Sequence, residues 1–422
     1  MGVEESHRWP FFLPDGEHFL YLAARFAAPA ENRDSIVYLS SLAGKENRQI
    51  LKTRSNPEYV DGYLFYVDEK KALRAARLDI GKAEMEGDSQ VVVDTVGYQP
   101  SVFRGAYAVG GAGTVIYTET ATSAQSVLTW YDKRGKKLGH VGEIGVQANP
   151  ALSPNRESVA LDITDLKANN LDVWVEDLKK QTSTRFTFDP AEETTPVWSR
   201  DGNTIAYRPI AAGGTVIVKK ANGLEAGKRT LEVGRTTSVL GQKDSYDLIP
   251  NSWTPDGNQV MCALQLATKD AQGSVLVMVQ ASGGHAVRFM HSNASEANGQ
   301  ISADGKWVAY ASSESGDWEV YVTTFPGATG KWQVSRGGGT EPRWRSDGKE
   351  IYYLGPTGVL MKVAVDAGST FSSGTPAPLF QVRGRASISS TDIFTDDLTR
   401  DGQRFLVHEY VKPEHVMPLT IV

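Results

Sequence analysis

The chain has 422 residues, 40% of them hydrophobic, with 44 Lys and Arg against 50 Asp and Glu, a net charge of −6 and a pI near 5.8. That apolar content suffices for a large core; no apolar run reaches the eighteen residues a membrane span requires, and the lack of a basic stripe argues against nucleic acid as a partner. A lone cysteine, Cys262, excludes an internal disulfide, while 41 glycines and 19 prolines suit a chain that turns every few residues.

The N-terminus, Met1-Gly2-Val3-Glu4-Glu5-Ser6, is acidic and lacks the apolar stretch of a secretory signal. Gly2 and Ser6 alone fall short of a myristoylation signal. A phrase then begins to recur: an apolar or aromatic residue, polar residues, Asp-Gly, and a β-rich run. Its first copy is Phe12-Leu13-Pro14-Asp15-Gly16, and Val60-Asp61-Gly62 follows. Lys70-Lys71-Ala72-Leu73-Arg74-Ala75-Ala76-Arg77-Leu78 has the charges of a basic amphipathic helix, but it is only about two turns long. It stands where a third strand falls after Tyr63-Leu64-Phe65-Tyr66-Val67, so a strand is expected. Weaker copies are the Gly110-Gly111-Ala112-Gly113 turn and Leu152-Ser153-Pro154-Asn155-Arg156. The strong copies are Trp198-Ser199-Arg200-Asp201-Gly202, Trp253-Thr254-Pro255-Asp256-Gly257, Ile301-Ser302-Ala303-Asp304-Gly305, Trp344-Arg345-Ser346-Asp347-Gly348 and Leu398-Thr399-Arg400-Asp401-Gly402.

The turn glycines from Gly202 to Gly402 lie 55, 48, 43 and 54 residues apart, and Gly16 and Gly62 lie 46 apart. Nine copies from Gly16 to Gly402 give a mean near 48, the length of a propeller blade. Inside the clearest unit, Pro196-Val197-Trp198, Thr204-Ile205-Ala206-Tyr207, Thr215-Val216-Ile217-Val218 and Arg229-Thr230-Leu231-Glu232-Val233 read as four strands joined by turns. The expectation is an all-β chain, residues 1–422 forming one closed β-propeller of four-stranded antiparallel blades, eight or nine in number with nine repeats counted. The blades fall near 10–52, 57–94, 100–142, 150–188, 196–233, 250–290, 299–336, 342–382 and 393–422, the short last one being completed by the N-terminal segment. Trp198, Trp253 and Trp344 are expected as wedges between blades.

No catalytic motif stands out. There is no Gly-x-Ser-x-Gly elbow. His408-Glu409 begins like a zincin, yet Lys412 occupies the second histidine's place and Pro413 breaks the helix such a site needs. Seven histidines, His7, His18, His140, His285, His291, His408 and His415, are scattered. The turn aspartates lack the ligand series of a calcium loop and read as turn formers. No metal and no cofactor is expected, and Cys262, within Val260-Met261-Cys262-Ala263-Leu264, reads as a buried, inert thiol. Binding residues are sought where each blade connects to the next, since loops on a rigid scaffold carry function. The candidates are Asn56, Gln99, Asn149, Glu193, Asp247, Glu296, Glu341 and Asp392, with Thr195, Tyr246 and Asn298 beside them, at one mouth of the channel. Glu193, Asp247, Glu296 and Glu341 would make that rim acidic and suited to a cationic segment.

The opening His7-Arg8-Trp9-Pro10 through Phe19-Leu20-Tyr21, the pair Leu128-Thr129-Trp130-Tyr131-Asp132-Lys133-Arg134-Gly135-Lys136, and Trp332-Gln333-Val334-Ser335 with Gly337-Gly338-Gly339-Thr340-Glu341-Pro342-Arg343-Trp344 carry a resemblance. The chain resembles the TolB-like, WD40-like propeller at the C-terminal end of membrane-anchored bacterial serine/threonine protein kinases. Kinase loops are absent. The resemblance implies a non-enzymatic binding or sensing module, the receptor part of a signalling protein, periplasmic or extracytoplasmic if it belongs to a membrane-anchored parent. A monomer is expected, with a protein or small-molecule ligand at the channel face and no membrane contact of its own. The alternative is a channel-site propeller enzyme of the lyase or lactonase type.

Overall fold

A computed structural model describes residues 6–24, 35–53, 55–99, 103–119, 125–165, 170–189, 191–210, 214–223, 228–232, 246–267, 272–284, 286–382, 394–411 and 420–421. Among them there are strands and turns and no α-helix, so no helix is long and apolar enough to cross a membrane. The chain divides into two compact units, residues 1–124 with 412–422, and residues 125–411.

In the first unit, Ser6–Phe12, His18–Ala24, Ser35–Ser41 and Asn47–Thr53 form one antiparallel sheet, and Glu58–Val60, Tyr63–Val67, Leu73–Asp79 and Glu84–Val93 a second. The basic segment is thus a strand, Leu73–Asp79. Thr420–Ile421 pairs with Thr114–Tyr117, through Ile116 opposite Ile421 and Tyr117 opposite Thr420. The repeat at 100–142 is therefore not one sheet: its first half lies here and its second half belongs to the other unit.

The second unit repeats one pattern. The second sheet is Glu193–Trp198, Thr204–Pro209, Thr215–Lys220 and Arg229–Glu232; the third is Tyr246–Trp253, Gln259–Ala267, Gln272–Gln280 and Val287–Arg288. The fourth is Glu296–Ile301, Trp307–Ser312, Glu319–Thr324 and Trp332–Gln333, and the fifth is led by Thr340–Trp344. The first and sixth share one strand of sixteen residues, Lys137–Leu152. Its end, Val146–Leu152, leads the first sheet through Ser158–Asp165, while its beginning pairs with Ser126–Asp132. Ser126–Asp132 in turn pairs along its whole length with Arg404–Tyr410, whose other neighbour is Asp396–Leu398. The last repeat is thus completed by residues 126–141. The N-terminal strand expected there pairs with His18–Ala24 in its own sheet.

Strand alternation explains why each sheet is apolar on both faces. In the third sheet Val260, Cys262 and Leu264 pack with Ala206, Val216 and Val218 of the second, while Met261 and Ala263 pack with Val308 and Tyr310 of the fourth. Fourth and fifth share Trp307, Val320, Ile351 and Tyr353; fifth and sixth share Tyr352, Leu360, Phe405 and Val407. Leu128 and Leu406 of the sixth pack on Val159 and Leu161 of the first, and Ala160 and Val173 of the first on Ile205 and Tyr207 of the second. Each sheet therefore shares one core with the sheet before it and another with the sheet after it. Cys262 has no exposed surface, and burial pushes its thiol up.

The turn phrase does the work read from it. Asp201 accepts from Ser199 Oγ and from the Asn203 amide, and Gly202 closes the turn at φ 72°, the left-handed region that glycine tolerates. Asp256 and Asp401 repeat the arrangement with Thr254 and Thr399.

Candidate functional site

In the second unit five of the six leading strands carry a bulge, Asp396–Leu398 being regular. Register slips between Ala148 and Ala151, Thr194 and Val197, Pro250 and Ser252, Ala297 and Gln300, and Thr340 and Arg343. Asn149, Thr195, Asn298 and Glu341 sit there at φ 52° to 55°. Pro150, Pro196 and Pro342 follow three of them, and a bulge is a position where proline's missing N–H costs no ladder bond. The bulge re-aims its side chain, and from it Asn149 and Glu341 reach Phe394 and Thr395 at the start of the sixth sheet.

The candidate residues fall accordingly. Asn149 donates to Asp162 Oδ2 at 2.6 Å and accepts from the Phe394 amide at 2.8 Å. Glu341 accepts the Thr395 amide and hydroxyl. Glu296 accepts from Ser292 Oγ at 2.5 Å and from the Leu276 amide at 3.2 Å, and burial raises its pKa. Asp247, half-buried, accepts from Arg208. Glu193 has no exposed surface and neither carboxyl oxygen has a hydrogen-bond partner; burial pushes it up to about 8. The nearby Thr187 hydroxyl instead reaches Asp172 at 3.4 Å. Asp396, missed in the sequence, is also buried, and burial with Glu341 beside it brings its carboxyl to about 7. Glu193, Glu296 and Glu341 are therefore interior groups, and the exposed acidic rim they were expected to form is corrected: Glu341 turns inward at its bulge, while Glu193 and Glu296 are buried opposite Pro209 and Ser312 in the regularly paired part of their strands. Asn56, in the first unit, accepts the Gly105 amide at 2.8 Å, and Gln99 pairs with Arg104 as a strand residue. Asp392 lies outside the described residues.

Another set of residues lines the cavity in the second unit. About 180 Å³ in volume, it is bounded by residues of all six leading strands and the turns behind them. Its walls include Trp198, Trp253 and Trp344. Each indole N–H donates to a carbonyl of the preceding sheet's leading strand: Trp198 to Ala151 at 3.0 Å, Trp253 to Val197 at 3.1 Å, Trp344 to Gln300 at 2.9 Å. The wedges expected from the sequence are thus also staples.

Four arginines line the cavity against one carboxylate, Asp397. Arg343 stacks over Phe394 at 3.9 Å, donates to the Asp396 carbonyl at 3.2 Å and lies 4.0 Å from Asp397. Arg200 reaches from the second sheet to the fourth, where it donates to the Ile301 carbonyl at 2.7 Å; burial and the charge of Arg400 lower its pKa. Arg156 lies 3.6 Å from Asp401. The sequence held a signal for this mouth: the residue before Asp in the turn phrase is Ala303 or Ser346 in two copies but Arg200 and Arg400 in two others, and all four line the cavity. Among the described residues no three His, Cys, Asp or Glu side chains gather as metal ligands do.

No protein-family model matches the chain, and no curated protein matches it in sequence. Solved structures do. One described as TolB of Agrobacterium tumefaciens is 14% identical, covers 68% of this chain and 99% of its own, and has a TM-score of 0.50. TolB of Acinetobacter baumannii is 12% identical over 84% of this chain and 78% of its own, with a TM-score of 0.40. An oligogalacturonate lyase in complex with manganese is 14% identical over 89% and 90%, with a TM-score of 0.36. Identities this low speak to fold alone. The chain is all-β with four-stranded antiparallel sheets, and its fold is TolB-like.

Proposed function

We propose that the chain is a non-enzymatic binding or sensing propeller whose binding surface is the turn-phrase mouth of the channel in residues 125–411. In this reading those residues form a closed ring of six blades, fewer than the nine repeats of the whole chain. The pairing of Ser126–Asp132 with Arg404–Tyr410 supports closure, as does the cycle of shared cores in which the sixth sheet packs on the first. Residues 125–411 alone would fill the share of the chain that the Agrobacterium structure covers. The observation that carries the functional reading is the composition of the cavity: arginines and indoles face it, while the carboxylates that general acid–base chemistry draws on are buried elsewhere or bonded to backbone. The module then serves as the receptor part of a bacterial signalling protein, extracytoplasmic if its parent is membrane-anchored.

Photo-crosslinking tests this. A photoreactive side chain at Ser346, on the mouth, should trap a partner from the native envelope, and one at Lys362 on the fifth sheet should not. Equal trapping at both positions, or release of unsaturated product from a polyuronide or opening of a lactone by the purified chain, overturns the reading.

A further inference from the structure

The arginine pair at the mouth points to a ligand class, an inference that rests on the channel mouth being the binding surface. A guanidinium has five N–H donors. Among the described residues the only hydrogen bond of the Arg200 guanidinium is to the Ile301 carbonyl, and neither Arg200 nor Arg400 has a carboxylate within ion-pair distance. The aspartates of their own turns face elsewhere: Asp201 accepts from Ser199 and Asn203, and Asp401 from Thr399 and the Gln403 amide, with Arg156 beside it. Two like charges share a half-buried mouth, an arrangement that is unfavourable until an anion arrives between them. The walls strengthen any such contact, because Trp198, Trp253 and Trp344 have given their N–H groups to carbonyls and present apolar faces. Ser346, whose hydroxyl donates to the Arg400 carbonyl at 2.7 Å, holds the fifth turn against the sixth and so fixes the Arg400 backbone.

We propose that Arg200 and Arg400 bind a small oxyanion, a polycarboxylate or a phosphate, at this mouth. Planar guanidinium forks match both groups in bidentate geometry. At about 180 Å³ the cavity suits a compact ion or the charged end of a longer ligand. Arg200 would give up the Ile301 carbonyl or share it, and Arg400 would close from the opposite turn.

The test is calorimetric titration of the full chain at low ionic strength, with citrate in one arm and inorganic phosphate in the other, since screening weakens such contacts. At least one should bind saturably at a single site with Kd below about 10 mM. The arm that binds tighter identifies carboxylate or phosphate as the source. Arg200→Gln with Arg400→Gln should weaken binding at least tenfold, and Arg336→Gln, an exposed arginine outside the cavity, should leave it unchanged. If circular dichroism shows the double variant unfolded, Arg400→Gln alone should still weaken binding at least threefold. Absence of saturable binding in both arms, or full affinity in the arginine variants, overturns the proposal. Crosslinking at Ser346 that persists when both anions fail leaves the binding reading standing and removes the oxyanion.

Discussion

Replacing Glu193 by Gln isolates the electrostatic cost of one buried carboxyl in the second unit. The side chain has no exposed surface, and burial lifts its carboxyl from the ordinary 4.5 to about 8. Because the folded value is the higher one, the stability linked to this group is fully present below pH 4.5, falls as the unfolded chain alone ionises, and is lost by the time pH passes 8. One pKa unit is worth about 1.4 kcal/mol, so the shift sets a ceiling of roughly 5 kcal/mol. Water entry and local relaxation at the charged carboxylate reduce this to about 2–3 kcal/mol. The amide of Gln does not ionise. Wild type and Glu193→Gln should therefore melt together at pH 4.5 to 5 and diverge above, the variant standing about 4–12 °C higher at pH 9 at roughly 2–4 °C per kcal/mol. Scanning calorimetry at pH 5, 7 and 9 reads this directly. Parallel pH profiles, or a variant that melts below wild type at pH 9, would refute the assignment of Glu193 as a neutral interior acid.

Trp253→Phe removes an indole N–H from the Val197 carbonyl and trims a wall of the cavity; a loss of about 1–3 kcal/mol is expected in urea denaturation. Glu341→Ala leaves the Thr395 amide and hydroxyl without their acceptor in a buried place, so it should cost about 2–4 kcal/mol, where an exposed rim carboxylate would cost within about half a kcal/mol. Removing residues 420–422 takes away one short pairing of exposed residues, Thr420 and Ile421, and should lower the main melting transition by less than about 2 °C. Val407→Pro, in the strand that pairs on both sides, should abolish that transition.

The turn phrase made the sheets legible. Gly16, Gly62, Gly202, Gly257, Gly305, Gly348 and Gly402 all hold positive φ, and the four runs of the Pro196 repeat are four adjacent strands. The destination of Asn149, Glu193, Glu296 and Glu341 was not legible, because a polar residue just before a strand reads as a loop residue. For Asn149 and Glu341 the proline that follows carried the missing information, since inside a strand it marks a bulge that re-aims the side chain; Glu193 and Glu296 stand in regular register and bear no such local mark. Residues 126–141 looked like the continuation of the repeat at 100–142, since pairing between Thr129 and Val407 joins positions far apart in sequence and leaves no local pattern. The mouth arginines stayed hidden because Arg200 and Arg400 occupy an ordinary turn position that matters only once turns from different sheets face one cavity.

Hydrogen exchange of the full chain, followed residue by residue, tests the closed ring on which the channel depends. If Ser126–Asp132 closes it against Arg404–Tyr410, the amides of both strands should exchange slowly and in step with those of Gln259–Ala267 in the middle of the third sheet, through one cooperative opening. Exchange of these two strands many times faster than Gln259–Ala267, at the rate of exposed sheet edges, would mean that the ring is open and the channel mouth is not a fixed site.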